Sequence, residues 1–307
     1  MPKKRSAIRE TVELGMLKAI FAVLGSFSLR RSMDFGKRFA LFAAKLFPKL
    51  TKTAYRNLEI AYPDMPYEDR EKIVRGTFES LGRHLGFVSH FNKFSPEKLR
   101  EVVELEGEDE NLKPLVESKR GIIFFTGHFG SWEVFNLVPP AFGYDINILV
   151  RRIDNPAVEN FVESLRTRFG SVTVDKRRAA RKLYKLLESG KIIGILADLN
   201  VQQKEGVFVD FFNKTASTST TIAKLALKTG AGIVPAFAVW NDEKEKYTVY
   251  LDKPILPDGY RDNENAVTEI TQEITALVEK YVRRYPEQWL WIHKRWNTRP
   301  NGEPELY

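Results

Sequence analysis

A chain of 307 residues, 43% apolar and 29% charged, is long enough to bury one large core and is neither collagen-like nor disordered in composition. Lys and Arg total 48 against 40 Asp and Glu; the net charge of +8 and a pI near 9.4 point to anionic partners, whether membrane lipid, nucleic acid or an acidic protein. Cysteine is absent, which excludes disulfides, thiolate nucleophiles and zinc–sulfur sites.

Residues 1–50 read as a basic amphipathic helical extension. The segment "LGMLKAIFAVLGSFSLRRSMDFGKRFALFAAKLFPKL" carries Lys18, Arg30, Arg31, Lys37, Arg38, Lys45 and Lys49 but only one acid, Asp34. Its longest uncharged run is Ala19 to Leu29, far short of the roughly 20 residues that cross a bilayer. No small-residue cleavage site follows the apolar run, which argues against a secretory signal. Apolar segments with basic flanks suit helices lying among lipid headgroups; the alternative is a helical pair packed on the main domain with its charges in water.

From residue 51 to 307 the pattern is that of one α/β domain, without repeats or low-complexity linkers. "PYEDREKIVRGTFESLGRHLGFVSHF" places Ile73, Val74, Phe78, Leu81, Leu85 and Val88 at helical spacing. Thereafter "GIIFFTG", "INILV", "KIIGILA", "GIVPAFAVW" and "YTVYL" read as strands, and 156–169, 177–188, 218–229 and 263–284 as helices. This alternation predicts a mostly parallel central sheet flanked by helices.

The candidate site lies in "FFTGHFGSWE". Gly127 ends an apolar strand, so His128 stands at its carboxyl end, where ligand crevices of open α/β sheets lie. Ser131 reads as the N-cap of a following helix, with Glu133 in its first turn. A carboxylate that accepts from one imidazole nitrogen raises the basicity of the other, so His128 and Glu133 form a candidate base and acid pair lacking only a nucleophile, which the substrate would supply. The alternative is a capping histidine with Glu133 answering the helix dipole. No second histidine lies close enough in sequence to suggest a metal site.

Other segments bring further candidates to the same edge. Arg151 follows the strand "INILV", and its planar fork suits a phosphate, as does that of Arg152; both also read as solvated surface arginines. Asn155 fixes the turn before Pro156 or joins the site. Arg166 and Arg168 reach the same anion or answer a helix dipole. Asp198 ends another apolar strand, orienting a group there or capping a turn. Thr218, Ser219 and Thr220 open the predicted helix as caps or as an anion cradle. In the tail, Trp289, Trp291 and Trp296 interleave with Lys294, Arg295 and Arg299, which suits a bilayer interface, base stacking or tight packing on the sheet.

In "NLEIAYPDMPYEDREKIVRGTFESLGRH", "TGHFGSWE", "RRIDNP", "ADLNV", "VFVDFFNKTASTSTTIAKLALKTGAGIVPAF" and "PEQWLWIHKRWNTRP", taken in order over about 250 residues, the chain resembles the bacterial lipid A biosynthesis acyltransferases, within the glycerolipid acyltransferase superfamily. That resemblance implies transfer of a fatty acyl chain from an acyl carrier protein or CoA thioester to a lipid hydroxyl. His128 would be the general base of the H-x4-acid motif, with Glu133 its acid and Arg151 the motif arginine. No cofactor beyond the thioester co-substrate and no metal are expected, and no recognised nucleic-acid-binding motif is present, so no nucleic acid partner is expected. The setting the resemblance implies is the cytoplasmic face of a bacterial inner membrane, held peripherally or by a single N-terminal anchor. Lipid A precursors, phosphatidylinositol mannosides and lysophospholipids all remain open as acceptors, and a non-enzymatic basic membrane scaffold remains the competing class. Two departures stand out: Asn213 replaces an expected glycine, and Asn297 an expected lysine. Backbone N–H groups near Gly130 are the expected oxyanion donors, and Phe129, Phe135 and Phe211 the expected walls of an acyl slot.

Overall fold

The structure, a computed structural model, describes residues 6–177, 179–260 and 263–307. Residues 1–5 of the predicted extension, and Arg178 in the predicted 177–188 helix, lie outside the described residues. The chain opens with α1 (Ala7–Ser26), α2 (Leu29–Leu46), α3 (Pro48–Ala61) and α4 (Tyr67–Val88). There follow α5 (Pro96–Val102), β1 (Val103–Glu106), α6 (Lys113–Glu117), β2 (Ile122–Thr126), α7 (Val138–Ala141), β3 (Ile146–Val150), α8 (Pro156–Arg166), β4 (Val172–Asp175), α9 (Ala180–Glu188) and β5 (Ile192–Leu196). The last third holds β6 (Gly206–Phe211), β7 (Lys214–Ser219), α10 (Thr221–Thr229), β8 (Gly232–Asn241), β9 (Lys246–Leu251) and α11 (Ala266–Arg284).

Among the described residues, seven strands form one sheet in the order β1-β9-β8-β2-β5-β3-β4, parallel at every step except β8 to β9. Strand β2 shows why the central runs are wholly apolar. Ile123 and Phe125 enter a core cluster with Leu183 and Leu187 of α9 and Ile270 and Ile274 of α11, whereas Ile122 and Phe124 enter another with Leu165 of α8. Both faces are covered, so Ile122–Phe125 is an unbroken apolar run.

The five predicted strands are all present, and among the described residues four others join them. β1 and β4 are edge strands only four residues long, too short to display a period. β6 and β7 form a separate antiparallel hairpin whose two-residue turn, Phe212–Asn213, has positive φ at both positions (57° and 54°). Asparagine tolerates that conformation, so the expected glycine is not needed. The predicted helix 218–229 is corrected accordingly: Thr218 and Ser219 end β7, and α10 begins at Thr221.

Helices α2 and α4 cross at very close range. Ser32 and Gly36 on one meet Gly82 and Gly86 on the other; a Cβ on Gly86 would lie 2.5 Å from the Ser32 carbonyl oxygen, and one on Gly82 would strike the Gly36 carbonyl. Only small residues allow backbones this near, so two small-xxx-small faces dock the extension onto α4. Helix α1 packs on α8, with Phe21 edge-on to Phe161 at 5.2 Å.

The outward faces of these first helices are apolar. Phe35, Phe39, Phe42 and Leu46 follow one another at helical spacing along α2, and Phe42 and Leu46 are 59% and 60% exposed. Ile8, Val12, Met16 and Val23 form a similar exposed ridge on α1. Among the described residues, no helix is long and apolar enough to cross a membrane.

Candidate active site

Strand register brings the central pair together. In the parallel β2–β5 pairing, Thr126 lies opposite Leu196, and two residues beyond them stand His128 and Asp198. The Asp198 carboxylate, 2% exposed, accepts three hydrogen bonds. The His128 backbone N–H donates to Oδ2 at 2.7 Å, its ring Nδ1 to Oδ1 at 2.9 Å, and the Trp289 indole N–H to Oδ2 at 2.9 Å. An ionised carboxylate only accepts, so Nδ1 carries the proton and Nε2 keeps its lone pair, free of hydrogen-bond partners among the described residues.

Charge tuning follows from the same contacts. Burial alone would push the His128 pKa down, but the charge and hydrogen bond of Asp198, with Glu133 behind, outweigh it and raise the imidazole above its ordinary value. For Asp198, burial works against ionisation and is overcome by His128 and Trp289, which hold the carboxyl below its usual range.

The expected pairing of His128 with Glu133 is corrected by this geometry. Ser131 caps no helix with its side chain; a 3-10 turn, Trp132–Asn136, follows it instead and turns Glu133 toward Arg166. Arg166 grips Glu133 with a bidentate fork, Nε to Oε2 at 2.9 Å, and Asn136 Nδ2 donates to Oε2 at 2.8 Å. Burial is again outweighed, here by Arg166 and more weakly by His84 and His128, so Glu133 is held below the usual carboxylate range. Trp132 bridges the two clusters, 5.1 Å from His128 and stacked on His84 at 4.1 Å between centroids. His84 Nδ1 lies 3.0 Å from the Ser131 hydroxyl, and burial pushes its pKa down to about 4.

A cavity of about 470 Å³ opens at this edge of the sheet. His128, Glu133, Arg151, Arg166 and Lys176 line it, and Phe124, Phe135, Ile148 and Leu196 give it an apolar wall. Gly194 of β5 contributes to the space by having no side chain. Of the phenylalanines expected in an acyl slot, Phe135 is there. Phe129 and Phe211 are packed in the core against Phe237 and Trp296.

Other expected site residues fall into three groups. Arg151 stands at the cavity with 74% of its side chain exposed, 3.6 Å from Asp154. Arg168 points away and donates to the Phe94 carbonyl at 3.3 Å. Asn155 is 1% exposed and fully engaged: its Oδ1 accepts from Ala157 and Val158 as the α8 N-cap, and its Nδ2 donates to the Glu10 carbonyl and to Glu13 Oε2 of α1. It therefore ties α1 to the cavity rim and has no atom left for substrate.

The tail corrects two further expectations. Trp289, Trp291 and Trp296 are at most 3% exposed and pack on the sheet, not on a bilayer. Arg295 is equally buried and donates to Ser217 O and Thr218 Oγ1, its pKa pushed down to about 10 by burial. The Gly130 N–H, expected to face an oxyanion, instead donates to the Gln288 carbonyl at 2.8 Å. Gly130 has φ +52°, and a Cβ there would strike the Ala238 carbonyl, so glycine is required for this docking of the tail. Trp289, His84 and Trp132 were missed as site residues because only the fold brings them to His128. Among the described residues, no three His, Asp or Glu side chains are grouped to hold a metal.

Residues 3–298 match the family model described as bacterial lipid A biosynthesis acyltransferase. The lipid A biosynthesis lauroyltransferase of Escherichia coli K12 is 27% identical over 270 residues, covering 86% of this chain and 85% of that one. The palmitoleoyltransferase of the same organism is 27% identical over 278 residues, covering 89% and 87%. A looser likeness, at TM-score 0.38 and 15% identity over 85% of this chain and 99% of the other, is to the crystal structure of the 1-acyl-sn-glycerophosphate acyltransferase PlsC from Thermotoga maritima.

Proposed function

The chain belongs to the bacterial lipid A biosynthesis acyltransferase family, and from that premise we propose that it moves a fatty acyl chain from a carrier thioester to a hydroxyl of a lipid A precursor, with His128 as general base. The observation that carries the mechanism is the Asp198-bound His128 at the mouth of an apolar cavity, its Nε2 lone pair unengaged. The cavity takes the acyl chain and holds the thioester carbonyl near His128. Nε2 removes the acceptor hydroxyl proton as that oxygen attacks the carbonyl carbon. Collapse of the tetrahedral intermediate forms the ester and breaks the carbon–sulfur bond, and the imidazolium returns the proton to the departing thiolate. Asp198 holds the Nδ1 tautomer and stabilises the imidazolium. Glu133 acts at one remove: its charge favours the imidazolium, and it fixes Arg166 at the cavity wall. Arg151, exposed and weakly paired, meets a phosphate of donor or acceptor.

The donor is an acyl carrier protein or CoA thioester, with no further cofactor. The exposed apolar ridges of α1 and α2, flanked by Arg31, Arg38, Lys45 and Lys49, support a peripheral position on the cytoplasmic face of the inner membrane, where the acceptor is presented.

Mass spectrometry of membrane lipids tests the proposal, using cells that express the wild type or His128→Ala and are fed labelled fatty acid. A newly acylated lipid made only by the wild type is expected, and its mass identifies the acceptor. Identical profiles from two folded proteins, in a host that contains lipid A precursors, would leave a non-enzymatic membrane scaffold as the better reading.

A further inference from the structure

A ridge of cations without carboxylate partners begins at the cavity rim. Lys176 lines the cavity; Arg177, then Arg181, Lys182 and Lys185 of α9, continue from it, and Lys224 and Lys228 of α10 lie alongside. Lys228 Nζ sits 4.8 Å above the Tyr184 ring, which fixes the two helices side by side. All seven are exposed, and among the described residues none is in an ion pair. The acids of this stretch, Asp175 and Glu188, stand at its two ends, and Asp175 Oδ1 already accepts from the Arg177 backbone. α10 also starts at the cavity, where Thr221 lines the wall. Both helices thus lead away from the mouth carrying positive charge.

The ridge does not share a sheet face with α1. Phe161 and Leu165 of α8, on which α1 packs, belong to the core on one face, while Leu183 and Leu187 of α9 belong to the other. The apolar ridge of α1, one of the two proposed to meet a bilayer, therefore lies across the sheet from the α9–α10 ridge, while α2 packs Met33 on one core cluster and Leu41 on the other. We infer that the α9–α10 ridge docks an acidic carrier protein, aligning its thioester arm with the cavity. The inference rests on the thioester-dependent reading above and adds the surface on which the donor lands. Complementary charge of this kind acts chiefly on encounter and falls with ionic strength.

The experiment compares wild type with Arg181→Glu/Lys185→Glu and with Lys224→Glu. Transfer is measured from lauroyl-acyl carrier protein and from lauroyl-CoA, alongside direct binding of a thioether-linked lauroyl-acyl carrier protein and of anionic phosphatidylglycerol vesicles. The expected result is a rise in KM for the carrier-protein donor and a matching loss of its binding, on the order of tenfold or more at low salt, with kcat, the CoA reaction and vesicle binding unchanged. Unchanged carrier binding, an equal loss with both donors, or loss of vesicle binding alone would each overturn the docking inference. If the wild type transferred from neither donor, the acyltransfer reading would fail instead, and the binding data would still decide the role of the ridge.

Discussion

Three donors converge on Asp198, and that convergence decides what His128 can do. Asp198→Asn keeps the shape but offers an amide in place of a second acceptor oxygen, so the imidazole loses the group that fixes its tautomer. Transfer is expected to fall about 10²–10⁴-fold with the fold intact. The pH profile carries a sharper signature. A base must be neutral to accept a proton, and the His128 pKa is raised, so wild-type activity drops as pH falls through a value above the ordinary 6.5. Asp198→Asn removes the raising partner and leaves burial, which lowers the pKa, so the acid limb of kcat/KM should move to lower pH. A limb that stays in place would assign it to some other group. Glu133→Gln should differ in kind: it strands the Arg166 cation, and a loss of stability of about 3–5 kcal/mol is expected in thermal or urea unfolding. The histidine was legible from the apolar run that precedes it. Asp198 was legible as an acid at the same sheet edge, but its pairing with His128 was not, because a spacing of five suggests Glu133 as the local partner, while the true one is 70 residues away and depends on β2–β5 register.

Among the elements, the α2–α4 crossing and the β6–β7 turn make separate claims. Gly82→Leu places a side chain where the Gly36 backbone already lies, so α2 must lift from α4. The expected outcome is faster amide exchange and protease cleavage within α2, with a cost of about 1–3 kcal/mol or more; protection equal to wild type would show that the helices do not need this contact. Asn213→Val forces a β-branched residue to φ near 54°, and should cost roughly 1–2 kcal/mol in equilibrium unfolding, whereas Asn213→Gly should not. Long apolar strands such as β2 and β8 were readable because burial on both faces leaves an unbroken hydrophobic run. The hairpin was not, since "KTASTS" carries the small hydroxyl residues that also open helices, and its strand state is set by pairing with β6 and by Arg295 beneath it.

For the whole molecule, the apolar face of the first helices has the largest consequence. Phe35, Phe39 and Phe42 are exposed, so replacing all three by Ser should alter folding stability little, within about 0.5 kcal/mol per site. Vesicle affinity should fall steeply, because each ring buried in lipid contributes on the order of 1.5–3 kcal/mol. Co-sedimentation with anionic vesicles reads the change directly, and undiminished binding would place the membrane contact elsewhere. The mostly parallel sheet flanked by helices was legible from the alternation of strands and helices. The fate of the aromatic tail was not: tryptophans beside cations look alike whether they meet a bilayer or a core, and it is Phe211, Phe212 and the Lys214 carbonyl of β7 that hold them inside.

The tail also sets the order in which the protein comes to life. Asp198 is made 70 residues after His128, and Trp289 a further 91 residues later, so the dyad and its brace are spread across about half of the 307-residue chain. At ribosomal speeds of about 5–20 residues per second, roughly 8–30 s separate His128 from Trp289. During that interval α1 and α2 have long been synthesised, while Leu290 and Gln288, which clamp the His128–Gly130 loop, do not yet exist. On the proposed membrane seating and mechanism, a nascent chain would rest on a bilayer before it could react with anything there, and activity would begin only when its last segment folds home.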